Sequence, residues 1–323
     1  MRKNAALLSA ALAAGSLVLT ACEPESTEPT LPSGVTAVAG PTAAQATMDG
    51  SVATGLQAIN AELAARGAPY AVDMAEISIS PEGSADAATI VYAFDRTHRL
   101  TSKWVPGDPR RNADGNNITY MNDGSFMNAS GAGNGEAAID ASFATWAGVN
   151  CSNLPLVKRP DNGLFNSAIF VSNGDVFAAD IITLGFLPGA VFDQVLGPGA
   201  SQNVLGVTFT FIFGSFDAMG NFTPSDIDNN HRDDTALKEV WYNNAFLWTT
   251  SNAPGVDIET VALHENGHAL ELGHFGRVAQ NTKTGKLTVS PRAVMNAFIL
   301  GVLRSPNGTD NSSYCGNWAS WPN

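Results

Sequence analysis

Three of the chain's five histidines fall in one short run, His264-Glu265-Asn266-Gly267-His268-Ala269-Leu270-Glu271-Leu272-Gly273-His274. On a helix, residues four apart share a face about 6 Å apart along the axis, so His264 and His268 can offer two imidazoles to one cation. Glu265 sits one step around, where it can reach a metal-bound water without ligating the metal, as a general base must. Catalytic zinc sites add a third protein ligand and keep a fourth position for water. His274 comes ten residues after His264, about 80° off the shared face of a continuous helix, so the helix has to stop before it. Two stops are open. The turn can fall at Gly273, which accepts a positive φ, or at Glu271, where a left-handed residue costs on the order of 1 kcal/mol that a bound metal can offset. Glu271 itself lies about 10 Å along the axis from His264, too far for both to hold one ion. His274 is therefore the expected third ligand.

This stretch resembles the extended motif HExxHxxGxxH of the metzincins, most closely the matrixins. Where that family has its turn glycine, this chain has Glu271. Restoring glycine there is expected only to relieve a backbone constraint. A second element, Ala293-Val294-Met295-Asn296, resembles the metzincin Met-turn, in which a methionine, here Met295, packs beneath the zinc. Ala178 to Pro188 and Val204 to Phe209 look like the family's upper strands, and Asp310 to Trp318 like its C-terminal helix. The resemblance runs over roughly residues 100 to 320. It implies an α+β, metzincin-like fold: a twisted, mostly parallel five-stranded sheet, an active-site helix, and an irregular C-terminal subdomain ending in a helix. It also implies a zinc endopeptidase that cleaves polypeptides with metal-activated water and Glu265 as general base. The tyrosine that many metzincins carry two residues past the methionine is replaced by Ala297. With only His98 and His231 left over, a second, structural zinc is not expected, and no cysteine between Cys22 and Cys151 could form a cysteine switch. The rival reading is a surface-anchored lipoprotein that keeps the fold as a non-catalytic binding module. The intact Glu265 argues against it, since a structural zinc needs no general base.

The elements that must position these residues are partly legible. Asp257 is a plausible N-cap for the histidine helix. Ile139, Phe143 and Trp146 line one face of a helix that should end near Gly148. Val207, Phe209, Phe211 and Phe213 alternate with Thr208, Thr210 and Ile212 in the period of a strand. Further strand candidates are 117–121, 168–172, 178–187 and 240–248. Val52, Leu56, Ile59 and Leu63 recur at helical spacing and stop before Gly67.

Arg2 and Lys3, an apolar stretch to Leu19, and then Thr20-Ala21-Cys22 read as a secretory leader too short to span a bilayer. Leu19 to Cys22 resembles a bacterial lipobox, which would place the protein, lipid-anchored at Cys22, in the cell envelope or on the cell surface, with release from the cell as a further outcome. The expected organisation is a leader over 1–21, a disordered tether over 22–50, a short helical segment over 51–87 and the catalytic domain over 88–323. Cys151 and Cys315 then remain as a pair, either a disulfide or two buried thiols. Asp226, Asp228, Asn230 and Asp234 alternate as oxygen ligands around calcium would, without an EF-hand's glycine or terminal glutamate; a solvated acidic loop fits them equally. With 17 basic against 30 acidic residues and a net charge of −13, nucleic acid is not an expected partner.

Overall fold

The computed structural model describes residues 35–37, 43–80, 100–111, 115–170, 178–251, 253–281 and 286–323. The leader, Cys22 and His98 lie outside them. In chain order the elements that matter to the site are helix α1 (Ala43–Ala65), strands β1 (Tyr70–Ile79), β2 (Ser102–Lys103) and β3 (Ile118–Asn122), helix α2 (Glu136–Ala147), strands β4 (Leu156–Lys158) and β5 (Ile181–Leu187), helix α3 (Gly189–Leu196), strands β6 (Val204–Phe216), β7 (Phe222–Pro224) and β8 (Asp233–Asn243), and helices α4 (Ile258–Ala269) and α5 (Gly308–Trp318).

The strands form one mixed sheet in the order β7-β6-β8-β5-β3-β4, with β1 also on β6 and β2 also on β8. β8, β5, β3 and β4 run parallel. β6 is antiparallel to β8 on one side and to β1 on the other. The alternation in β6 decides the layering. Val207, Phe209, Phe211 and Phe213 share one core with Val52, Leu56, Ile59 and Leu63 of α1 and with Phe192 and Leu196 of α3. On the opposite face, Val240 and Tyr242 of β8 share a second core with Ile139, Phe143 and Trp146 of α2, Val261 and Leu263 of α4, and Tyr314 and Trp318 of α5. The sheet is thus covered on both faces, as a largely parallel sheet requires. α4 is sandwiched against it and buries every residue it contains except Glu259. The class is mixed α and β, with six helices among the described residues.

Several expectations are corrected. Among the described residues the sheet has eight strands rather than five. The largest addition is β1, inside the 51–87 stretch expected to be a helical segment; Ala75, Ile77 and Ile79 alternate there with Glu76, Ser78 and Ser80 in a strand's period, but the polar partners are buried too. The expected tether over 22–50 contains a short strand, Val35–Ala37, and the first turns of α1. Ala168 to Phe170 is a turn, not a strand, because Ala168 N and Ser167 Oγ donate to the buried Glu239 carboxylate at 2.8 Å each.

Cys151, just past α2, is disulfide-bonded to Cys315 in α5, 164 residues away. Beside the bond, Trp146 stacks on Tyr314 with ring centroids 5.4 Å apart. Closing so long a loop stabilises the fold by on the order of 5 kcal/mol in the chain-entropy model, and removal of native disulfides commonly costs about 2–5 kcal/mol. Cys151→Ser/Cys315→Ser is expected to lose that amount in urea unfolding. A loss below about 1 kcal/mol would mean that the aromatic packing alone holds α5.

Candidate metal centre

The histidine helix begins where Asp257 caps it, accepting Thr260 N at 2.9 Å. It ends in a Schellman motif: Glu271 N donates to His268 O at 2.9 Å and Leu272 N to Gly267 O at 3.0 Å. The motif needs a left-handed residue at Glu271, whose φ is 67°. Of the two stops open to the sequence, the turn therefore falls at Glu271. The last carbonyls of the helix each find a side-chain donor: Trp104 Nε1 on Ala269 O, Trp318 Nε1 on Leu270 O and Asn317 Nδ2 on Glu271 O. Reversal at Glu271 brings His274 back over the helix.

The three Nε2 atoms meet at one point, with His264 to His268 at 3.0 Å, His264 to His274 at 3.0 Å and His268 to His274 at 2.9 Å. His264 Nδ1 donates to Val294 O and His268 Nδ1 to Leu272 O, each at 2.7 Å. Their Nε2 atoms are therefore bare lone pairs. Burial pushes the pKa of His264 and His274 well below the ordinary value and that of His268 down to about 3, so the rings are neutral. Three neutral imidazoles converging through nitrogen could hold one metal ion. Nitrogens 2.0–2.1 Å from a tetrahedral zinc would sit about 3.3 Å apart, a few tenths more than here. His264 and His268 are buried and His274 is partly exposed, so the open side of the centre is at His274.

Behind this centre, Met295 lies against the helix where Gly267 has no side chain: a Cβ there would stand 2.3 Å from Met295 Sδ. The turn carrying Met295 is held from α5, since Asp310 accepts Val294 N at 3.0 Å and Met295 N at 3.1 Å while also closing a capping box with Asn307. Asp310 was not foreseen as a site residue; Asn307 with Asp310 three residues on is a cap-like pair that could have shown its position.

Glu271 holds more than a turn. Its carboxylate is fully buried, accepts Thr235 Oγ1 at 2.6 Å and Ser102 Oγ at 3.2 Å, and lies 3.4 Å from the buried Lys238 ammonium. The expectation that glycine would only relieve strain is thereby corrected, because it would also strand Lys238.

Glu265 points away from solvent, toward the sheet. Ser78 Oγ of β1 donates to its Oε1 at 2.5 Å and Thr208 Oγ1 of β6 to its Oε2 at 2.7 Å. Gly206 leaves room for it: a Cβ there would stand 2.7 Å from Oε1. Burial pushes the carboxyl up to about 8, with both hydroxyls pulling the other way. Glu76, also on β1, lies 3.0 Å from His268 Nδ1. Its own pKa is driven well above the usual carboxylate range by burial, and His268 is neutral, so this contact is not an ion pair. Ser78, Glu76, Thr208 and Gly206 were all missed as site residues in the sequence, where the period-2 alternation of 75–80 marks the first two and that of 207–213 marks Thr208.

The oxygens of Asp226, Asp228 and Asp234 lie close together. Asp234, however, pairs with Arg110 at 2.7 Å, and Asn230 spends its amide oxygen on Arg232 N at 2.8 Å. Asp226 accepts Asn230 N and His231 N, making the loop a set of internal turns.

Breaking a buried ion pair costs about 3–5 kcal/mol, whereas relief at a left-handed residue returns about 1–2 kcal/mol. Glu271→Gly is therefore expected to destabilise the protein by about 1–4 kcal/mol in chemical denaturation, and Glu271→Gly/Lys238→Met to recover most of it. A stabilising single variant would refute the pairing. Gly267→Ala is expected to drive Met295 off the helix at a cost of about 1–3 kcal/mol, as overpacking does; an unchanged unfolding midpoint would show that Met295 is free to move.

No model of a known protein family matches the chain, and no curated protein does either.

Proposed function

We propose that the chain is a zinc-dependent endopeptidase of the metzincin type, matrixin-like, with His264, His268 and His274 as metal ligands and Glu265 as general base. The observation that carries this reading is the convergence of three neutral imidazoles, two with the distal nitrogen fixed on a carbonyl, which is how zinc-binding histidines are oriented. The thioether beneath Gly267 and the reversal at Glu271 support it. A zinc ion bound there would supply a Lewis acid for a peptide carbonyl and make water more acidic.

The remaining chemistry belongs to the protein. The carbonyls of Val294 and Leu272 hold the imidazoles in the ligating tautomer. Glu265, once its carboxylate is free of Ser78, takes a proton from the attacking water and delivers it to the leaving amine nitrogen. Thr208 keeps the second carboxylate oxygen in place meanwhile. The substrate is a polypeptide, and the protein is exported and attached through lipid at Cys22.

The burial of Glu265 favours a second reading, a lipoprotein that uses the fold to bind rather than to cut. Elemental analysis and peptide digestion separate the two. The purified full chain is expected to hold about one zinc, His274→Ala to lower that occupancy, and Glu265→Gln to keep the zinc while losing about 10²–10⁴ in cleavage rate over prolonged digestion of a peptide library. Zinc in both proteins with no cleavage by either would leave the binding reading; absence of zinc from freshly isolated protein would remove the metal centre.

A further inference from the structure

Glu265 can act only on a peptide bond that reaches it, and in this structure another segment of the chain is already there. β1 runs antiparallel along β6 from Tyr70 opposite Phe213 to Ile79 opposite Val204. β8 fills the other side of β6. Without β1, residues 204–213 would present a row of unpaired backbone donors and acceptors, the kind of edge to which an extended peptide adds as a further strand. Ser78, Gly206 and Thr208 all pack against the Glu265 carboxylate, so that edge leads to the general base.

The end of β1 is held on a second side as well. Ile79 N donates to Ala297 O at 2.9 Å and Ile299 N to Ile79 O at 3.2 Å, a parallel bridge to the segment just after Met295. Ile79 is thus placed between β6, where it lies opposite Val204, and the Met295 segment, to which its backbone is bonded. Just beyond, Ser80 borders a cavity of about 380 Å³ lined by Leu205, Phe246, Val256 and Ile299. An extended chain entering along β6 would cross Glu265 and end at that apolar cavity.

Resting on the metallopeptidase reading, we propose that Tyr70–Ile79 is an intramolecular inhibitory strand: it occupies the place of an extended substrate, ties up Glu265 through Ser78, and must leave β6 before a polypeptide can bind. β1 meets the protein on two faces: Ala75, Ile77 and Ile79 pack in the core shared with α1, while Glu76 and Ser78 lie over the histidine helix.

The test locks the strand in the full chain. Ala71 and Ile212 are partners across β1 and β6, at the end of β1 remote from Glu265. Ala71→Cys/Ile212→Cys, with cross-linking verified by thiol titration, is compared with each single variant for zinc content and for binding of a peptidyl hydroxamate. The expected result is about one zinc in all three, with the hydroxamate binding at least tenfold more weakly to the locked chain. Equal binding by locked and unlocked chains overturns the proposal, because the strand would then not compete with peptide. Zinc in all three without binding by any also overturns it, making β1 a permanent member of the sheet. Absence of zinc from all three removes the metal-centre reading and the proposal with it.

Discussion

The geometry of the centre depends on one backbone reversal. His264 and His268 face the same way because they are a helical turn apart, but His274 can join them only if the helix breaks between 268 and 274. The break is at Glu271, a residue type that does not favour a positive φ. What keeps it there is the side chain: the carboxylate is anchored by Thr235, Ser102 and Lys238 under the sheet. Asn317 takes the peptide oxygen of the same residue from the other side. Glu271 therefore adopts the left-handed region because the tertiary structure fixes both its side chain and its carbonyl, so that local strain is outweighed by several buried polar contacts.

The same layer explains why the sheet face over α4 is polar although it is buried. Thr208, Thr210, Lys238 and Thr235 project from β6 and β8, and Glu76 and Ser78 from β1. All but Glu76, whose carboxyl oxygens accept no hydrogen bond, meet a polar group of the helix or of another member of the layer, as with Thr210 Oγ1 under Lys238 Nζ at 2.8 Å. A buried carboxylate or ammonium is tolerated only when so paired. Two bonds close this layer onto Glu265, and one of them comes from the strand that closes the sheet edge. Burial of Glu265 and closure of the edge are consequently one structural event.

Support from below is equally specific. Gly267 is small because a sulfur fills its place, and that sulfur is positioned by Asp310 through two backbone amides. α5 reaches this point because Cys315 ties it to Cys151 beside α2. The C-terminal helix thus supports the histidine cluster by fixing the turn beneath it and capping the carbonyls of Leu270 and Glu271.

By itself the sequence determined what short-range periodicity and residue chemistry can determine. The face shared by His264 and His268, the Asp257 cap, the helix ending before Gly67 and the alternating apolar face of β6 all follow from spacing along one element. The proximity of Met295 to the centre was legible only through a family resemblance. Where the helix breaks, what Glu271 does with its charge, which residues hold Glu265, and the insertion of β1 beside β6 were decided by tertiary structure. The reason is physical: in β1 both faces are buried, so a polar-apolar alternation that would mark an exposed face instead marks a strand between a core and a polar layer. Ser78 and Glu265 are 187 residues apart in the chain, and no local pattern in either segment encodes the 2.5 Å between them.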